Sequence, residues 1–225
     1  MLYAVGDIHG ERDKLDALLG MLPLQSDDSL VFLGDYVDRG PDARGVVDLL
    51  LEFSKLYRCT FLIGNHESMF LDFLGWKGDR YLVGDAFLRN GGDRTLASYG
   101  YFELEDPDPH RFRLPTEHEQ FFQRLDLYRQ ESGYLFVHAG LGTAIQGESE
   151  VESALQRSRA EDFLWDRTTG YTPHNLRVTI VHGHTPRPDF EVHWNLPFSI
   201  GIDTGAVYGG KLTAIRLPDQ TLFQV

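Results

Sequence analysis

Residues 30–41, LVFLGDYVDRGP, decide how the rest of the chain is read. The apolar run 30–33 stops at Gly34, which marks a short buried strand. The chain then places Asp35, Asp38 and Arg39 in one tight loop closed by Gly40 and Pro41. Two carboxylates and a guanidinium just past a strand are where an open α/β sheet concentrates its chemistry. Taken alone, the segment is equally a polar turn. What separates the two readings is repetition, because the same design recurs along the chain.

Residues 2–5 form a first apolar strand ending at Gly6, followed by Asp7, His9 and Gly10. Leu15, Leu18, Leu19 and Leu22 then recur at helical spacing, so 11–22 reads as a helix. After the 35–39 loop, residues 46–57 show a helical apolar face of Leu49, Leu50, Phe53 and Leu56. Strand 59–63 leads to Gly64-Asn65-His66-Glu67 as a loop, with a helix from 68 to 74. Strands alternating with helices indicate βαβ units and a parallel sheet with helices outside it. Residues 75–115 break the rhythm and read as an irregular insertion over the active face, with a helical piece at 80–88. Within it, Asn90–Arg94 (NGGDR) either approaches a substrate or forms a surface turn, and the surface turn is the favoured reading. Helical periodicity returns at 116–130. Strand 134–137 ends in His138, a glutamate-rich helix covers 148–160, and strand 178–181 ends in His182-Gly183-His184. Segments 190–194, 199–202 and 212–217 read as a second, largely antiparallel sheet. No linker divides the 225 residues, so the expected organisation is one domain spanning 1–225.

Acidic residues outnumber basic ones, 34 to 21. That balance argues against a nucleic-acid binder, which needs a basic footprint. Cys59 is the sole cysteine, which excludes an internal disulfide and a thiolate metal site and suits a small buried hydrophobe. No apolar run reaches the ~20 residues of a spanning helix, and Asp7 leaves no room for a cleavable leader. The expectation is a cytoplasmic protein with neither membrane nor nucleic-acid partners.

Asp7, His9, Asp35, Asn65, His138 and His184 each follow directly on an apolar strand. Oxygen and imidazole donors without thiolate suit Mn, Fe, Zn or a similar divalent ion, and disfavour Cu(I) or an iron–sulfur cluster. Any one of these histidines would be an ordinary structural residue. Their recurrence at five strand ends points to metal binding.

In this order, GDIHG (6–10), GDYVDRG (34–40), GNHE (64–67), HAG (138–140) and HGH (182–184) resemble the metallophosphoesterase signature. They are similar above all to the PPP phosphoprotein phosphatases of bacterial and lambda-phage type. The likeness runs on through HGHTP (182–186) into GIDTGAVYGGKL (201–212) and explains the 75–115 insertion least. It implies the calcineurin-like α/β fold, a four-layer αββα sandwich of two mixed sheets with the metal site at the carboxyl ends of the strands. It also implies two divalent ions bridged by Asp35, one held by Asp7 and His9, the other by Asn65, His138 and His184. Manganese is the expected ion, with Fe, Zn, Ni or Mg as alternatives. Two such ions share a bridging hydroxide and stabilise charge on both sides of an in-line displacement at phosphorus. By the same resemblance His66 is the general acid, a role that suits imidazole, and Asp38 orients it. Arg39 and Arg167 hold phosphate oxygens, Tyr208 borders the site, and His182 is structural or supports the ligands.

Within this resemblance the expected activity is metal-dependent phosphomonoester hydrolysis, with phosphoserine or phosphothreonine proteins as substrates and phosphotyrosine or small phosphate esters also accepted. The rival is hydrolysis of diadenosine tetraphosphate and related dinucleotides. Enzymes of that group commonly carry alanine where this chain has Asp38 and aspartate where it has Glu67, so both positions favour the protein phosphatases. A phosphate-binding module without turnover is the third reading, against which stand the complete ligand set, His66, Asp38 and both arginines.

Overall fold

A computed structural model describes residues 1–105 and 107–225. Its first sheet is built on β1 (Leu2–Val5), β2 (Ser29–Phe32) and β3 (Arg58–Phe61), paired in parallel. Helices α1 (Arg12–Met21) and α2 (Ala43–Ser54) make the crossovers. On the other side of β1 lie β9 (Thr213–Leu217) and β10 (Thr221–Gln224), both antiparallel to their neighbours, giving the order β10-β9-β1-β2-β3. The second sheet contains β4 (Tyr128–Glu131), β5 (Tyr134–Val137), β6 (Thr179–His182), β7 (His193–Asn195) and β8 (Ser199–Gly201), in the order β4-β5-β6-β8-β7. Its centre, β5-β6-β8, is parallel and its two edges are antiparallel.

The alternation of side chains along each strand explains the layering. Leu2 and Ala4 of β1, with Val31 of β2, face the second sheet and pack with Phe136, Val181 and Ile200. Tyr3, Val5, Leu30 and Phe32 point the other way, onto Leu15, Leu18, Val46 and Leu50 of α1 and α2. In the second sheet Leu135, Val137 and Ile180 face outward, onto Val151 and Ala154 of α6 (Val151–Arg157) and Phe163 of α7 (Ala160–Trp165). Two mixed five-stranded sheets with helices outside both make the expected αββα sandwich.

Several local readings are corrected. Strand 212–217 joins the first sheet against β1, not a separate antiparallel one, and residues 221–224 add a hairpin strand. Helix 116–130 ends early: α5 covers Thr116–Gln123, and β4 takes up the remainder. Residues 80–88 contain only a short 3-10 turn at Gly84–Ala86 and the start of another at Leu88–Asn90. The third helix begins sooner than the Gly64-initiated loop suggested. In α3 (Asn65–Phe73), Glu67 folds back to accept the Gly64 N–H at 2.9 Å, so Asn65 and His66 occupy the first helical turn. The insertion is packed rather than draped. Phe87 stacks on Phe70 of α3 and Phe112 meets it edge-on, at ring separations of 5.2 and 5.7 Å, and α4 (Gly92–Ser98) lies against α2.

Candidate active site

The carboxyl ends of β1, β2, β5 and β6, together with the first turn of α3, converge on one cleft. The β2–α2 loop holds it in an unusual backbone. Asp35, Asp38 and Arg39 have φ of 53, 70 and 68°, and His9 and His184 have 47 and 65°. Such conformations cost of order 1–3 kcal/mol each and persist only where surroundings over-determine them. Here they are held by a full set of backbone bonds. The Glu67 carboxylate accepts the N–H groups of Asp35, Tyr36 and Val37 at 2.8, 2.7 and 3.1 Å, besides that of Gly64. Asp38 N–H donates to Thr95 Oγ1 at 2.8 Å and Arg39 N–H to the Gly91 carbonyl at 3.2 Å. In return the Asp35 carbonyl accepts from Ile8 and His9 at 3.1 and 2.7 Å, tying the first loop to the second.

The structure brings together all six residues expected to bind metal. Ligand atoms of His9, Asp35 and His66 lie within 4.8 Å of one another, as do those of Asp35, His138 and His184, so Asp35 belongs to both groups. Asn65 Oδ1 lies 3.0 Å from His138 Nε2 and 2.9 Å from His184 Nδ1. Asp7 Oδ2 accepts the His184 N–H at 2.9 Å, and among the described residues its Oδ1 has no partner, nor has His184 Nε2. Gly183 makes room for this carboxylate, since a Cβ there would overlap Asp7 Oδ1.

The protonation pattern tests whether these residues fit a cation. Carbonyl oxygens only accept, so His138 Nδ1 must donate to Leu33 (2.9 Å) and His9 Nδ1 to Val37 (2.9 Å). Burial lowers the affinity of both rings for a second proton, with His9 brought down to about 3. Neutral rings then turn their Nε2 lone pairs toward Asn65 Oδ1 and toward Asp35 Oδ2, which is 3.4 Å from His9. Acceptor facing acceptor in a buried place is unfavourable unless a cation lies between them. The Arg39 guanidinium already donates to His9 Nε2 at 2.7 Å, at the point where the donors converge. Carboxyl groups strengthen the demand. Burial, with the Asp203 and Asp35 charges, raises Asp7 well above its usual range, and burial pushes Asp203 up to about 7. The donor set fits a divalent metal.

His66 is oriented from both sides. Its Nδ1 is 2.7 Å from Asp38 Oδ2, and its backbone N–H donates to Asp35 Oδ1 at 3.1 Å. Burial disfavours its protonated ring, but the Asp35 and Asp38 carboxylates prevail and raise it. The cleft above has a volume of about 390 Å³, with Asp35, Asn65, His66 and His184 in its lining and Arg39, Arg167 and Tyr208 among the groups around them. Arg39 lies 5.3 Å from the Tyr208 ring centre, while the exposed Arg167 donates to Thr185 Oγ1 at 3.3 Å. Lys14 of α1 holds the Tyr208 turn by donating to the Ala206 and Gly210 carbonyls at 2.6 and 2.9 Å.

Sequence reasoning missed several participants. Asn90 lines the cleft and Gly91 receives Arg39, so NGGDR is not a free surface turn; the Gly91-Gly92 pair was the available signal. Thr95 and Trp165 carried none, because their roles depend on contacts far apart in the chain, while Asp203 lay unremarked within the matched GIDTGAVYGGKL segment. His182 is buried against Gly170 and Gly201 and contributes no ligand atom to either group.

Buried carboxylates and imidazoles that could hold a metal, at the ends of two facing sheets with arginines in the cleft above, make up the site of a phosphoester hydrolase. The chain belongs to the calcineurin-like phosphoesterase family, whose model matches residues 2–209. It is 29% identical over 243 residues to the asymmetrical bis(5'-nucleosyl)-tetraphosphatase PrpE of Halalkalibacterium halodurans, covering 96% of this chain and 89% of that one. With the symmetrical bis(5'-nucleosyl)-tetraphosphatase of Nitrosospira multiformis it shares 26% over 285 residues, covering 99% and 94%. Among solved structures, a putative diadenosine tetraphosphatase superposes with a TM-score of 0.68 at 24% identity, over 100% of this chain and 92% of that one. A cold-active protein tyrosine phosphatase from a psychrophilic Shewanella gives 0.58 at 18%, over 99% and 79%.

The tetraphosphatase relatives correct the expectation of a protein phosphatase acting on phosphorylated proteins. The misleading positions were Asp38 and Glu67, and the fold shows why. Asp38 is spent on His66 and Thr95, and Glu67 on four backbone N–H groups, both fully buried. Neither faces the cleft mouth, where substrates would be told apart.

Proposed function

We propose that the protein hydrolyses bis(5'-nucleosyl) tetraphosphates, adding water across one phosphoanhydride bond. The observation that carries this reading is the whole-chain likeness to enzymes of that name, at 26–29% identity over 96–100% of the chain. The geometry is compatible with it. Arg39 and Arg167 would take non-bridging phosphate oxygens as planar forks, and Trp165 and Tyr208 would flank a nucleoside leaving the cleft. Two divalent ions, manganese first, would be held by Asp7, His9 and Asp35 and by Asp35, Asn65, His138 and His184. When bound they supply Lewis acidity to the phosphoryl oxygens and the attacking water. His66, with Nδ1–H on Asp38, presents Nε2 to the cleft and would give its proton to the departing phosphate oxygen as the P–O bond breaks.

The test is incubation with diadenosine tetraphosphate and manganese, with nucleotide products separated by chromatography. Two diphosphates report cleavage of the central anhydride, and a monophosphate with a triphosphate reports off-centre cleavage. An intact dinucleotide, under conditions where simple phosphate monoesters are hydrolysed, would refute the proposal.

A further inference from the structure

We infer that Thr95 is the positioning residue that fixes the Asp38–His66 pair for proton delivery, an inference that rests on the reading of His66 as the proton donor. Thr95 is fully buried on α4. Its hydroxyl donates to Asp38 Oδ1 at 2.5 Å and accepts the Asp38 backbone N–H at 2.8 Å, while the other oxygen, Oδ2, meets His66 Nδ1 at 2.7 Å. The terminal torsion of an aspartate is broad and roughly two-fold, so a single partner would leave the carboxylate free to turn. With Thr95 on one oxygen and on the backbone of the same residue, the plane of the carboxylate is set and Oδ2 is committed to His66. That commitment keeps the Nδ1 proton on the Asp38 side and Nε2 toward the cleft.

The hydroxyl is itself held in place by the surrounding helices. The Thr95 carbonyl accepts from Ser98 Oγ at 2.8 Å, and Ser98 Oγ accepts the Arg44 N–H of α2 at 3.2 Å. One turn on, Tyr99 OH meets His118 Nδ1 of α5 at 2.8 Å, and His118 Nε2 meets Asp48 of α2 at 2.9 Å. Three helices thus fix the position from which Thr95 acts. No part of this support reaches the cleft, so Thr95 works only through Asp38.

The experiment compares Thr95→Val with Thr95→Ser on diadenosine tetraphosphate with manganese, and records the long-range 15N–1H imidazole spectrum of His66 without added metal. Thr95→Val is expected to lower kcat by at least about tenfold, a part of the roughly 10²–10⁴-fold a placed acid–base group contributes. KM should stay within about twofold, since no substrate contact is lost. Thr95→Ser should keep most of the activity. The His66 nitrogen signals should shift in the valine variant and not in the serine one. Near-normal kcat in Thr95→Val, an unmoved His66 spectrum, or a serine variant as impaired as the valine one would overturn the inference. Should Thr95→Val fail to fold, Thr95→Ala against Thr95→Ser gives the same comparison. If the unmodified protein leaves the dinucleotide intact, the functional reading has failed, and the imidazole spectra alone decide the role of Thr95.

Discussion

His66 is the residue on which the proposed chemistry turns. It lies one position after Asn65, 2.7 Å from Asp38, with its ring edge-on to His9 at 4.6 Å between centres. Replacing it by asparagine removes a titratable nitrogen while retaining polarity. His66→Asn is expected to lower kcat on diadenosine tetraphosphate by roughly 10²–10⁴-fold. Metal content after loading, measured by plasma emission, should be unchanged. A parallel loss of metal would make His66 a ligand instead, a role its place beside His9 and Asp35 also allows. Gly183 matters at the same scale for what it lacks. Gly183→Ala puts a methyl into the Asp7 carboxylate, and manganese affinity read by titration calorimetry should fall at least about tenfold, or 1.4 kcal/mol.

The element that organises the site is the loop between β2 and α2, clamped by the first turn of α3. Five successive backbone N–H groups, from Asp35 to Arg39, are bonded to Glu67, Thr95 and Gly91. Glu67 carries three of them, and burial with the Asp35 charge pushes its carboxyl up to about 8 despite those donors. Glu67→Gln replaces one accepting oxygen by an NH2 group that faces N–H donors. The NH2 group would face two N–H donors, and a buried donor left unsatisfied costs about 1–3 kcal/mol, so a destabilisation of about 2–4 kcal/mol is expected in urea unfolding, with a fall in kcat. Unchanged stability would mean that the loop is held by its other contacts. The identity of this loop was plain from GDYVDRG, and its clamp was not. Glu67 stands 32 positions beyond Asp35 and reads as a motif letter until the two strands are laid side by side.

At the scale of the molecule, two sheets converge to bury a group of carboxyls that want either protons or a cation. The Asp203 carboxyl titrates at about 7 in the folded chain against its ordinary 3.8. The folded state therefore holds a proton that the unfolded state releases. The associated stability is complete below about 4 and is lost as the pH rises through about 7. The Asp203 charge also raises Asp7; a divalent ion held by Asp7 would relieve that repulsion, and metal binding strengthens with pH because the ligands must be deprotonated. His9 and His184, brought down by burial to about 3 and about 2, are neutral throughout this range and do not compete. The rise in Tm on adding manganese, followed by scanning calorimetry, should be larger at about pH 8 than at about pH 5.5. Equal shifts would separate the ion from these carboxyls. Among the described residues no helix is long and apolar enough to cross a membrane.

The sequence by itself determined the strand ends, the residue types placed there and hence the family, because a short apolar run followed by glycine, carboxylate and imidazole is a local pattern. The tertiary structure alone decided the rest. Strand 213–217 chose the first sheet by pairing antiparallel to β1, with Leu217 opposite Leu2, a choice between partners that no local spacing encodes. Thr95 and Gly91 reached the Asp38–Arg39 backbone from more than fifty positions away. Asp38 and Glu67 turned out to face inward, so their identity tracks the support of the loop rather than the substrate. The cleft lining is assembled from distant segments, Arg39, Asn90, Trp165, Arg167 and Tyr208, which meet only after the chain has folded.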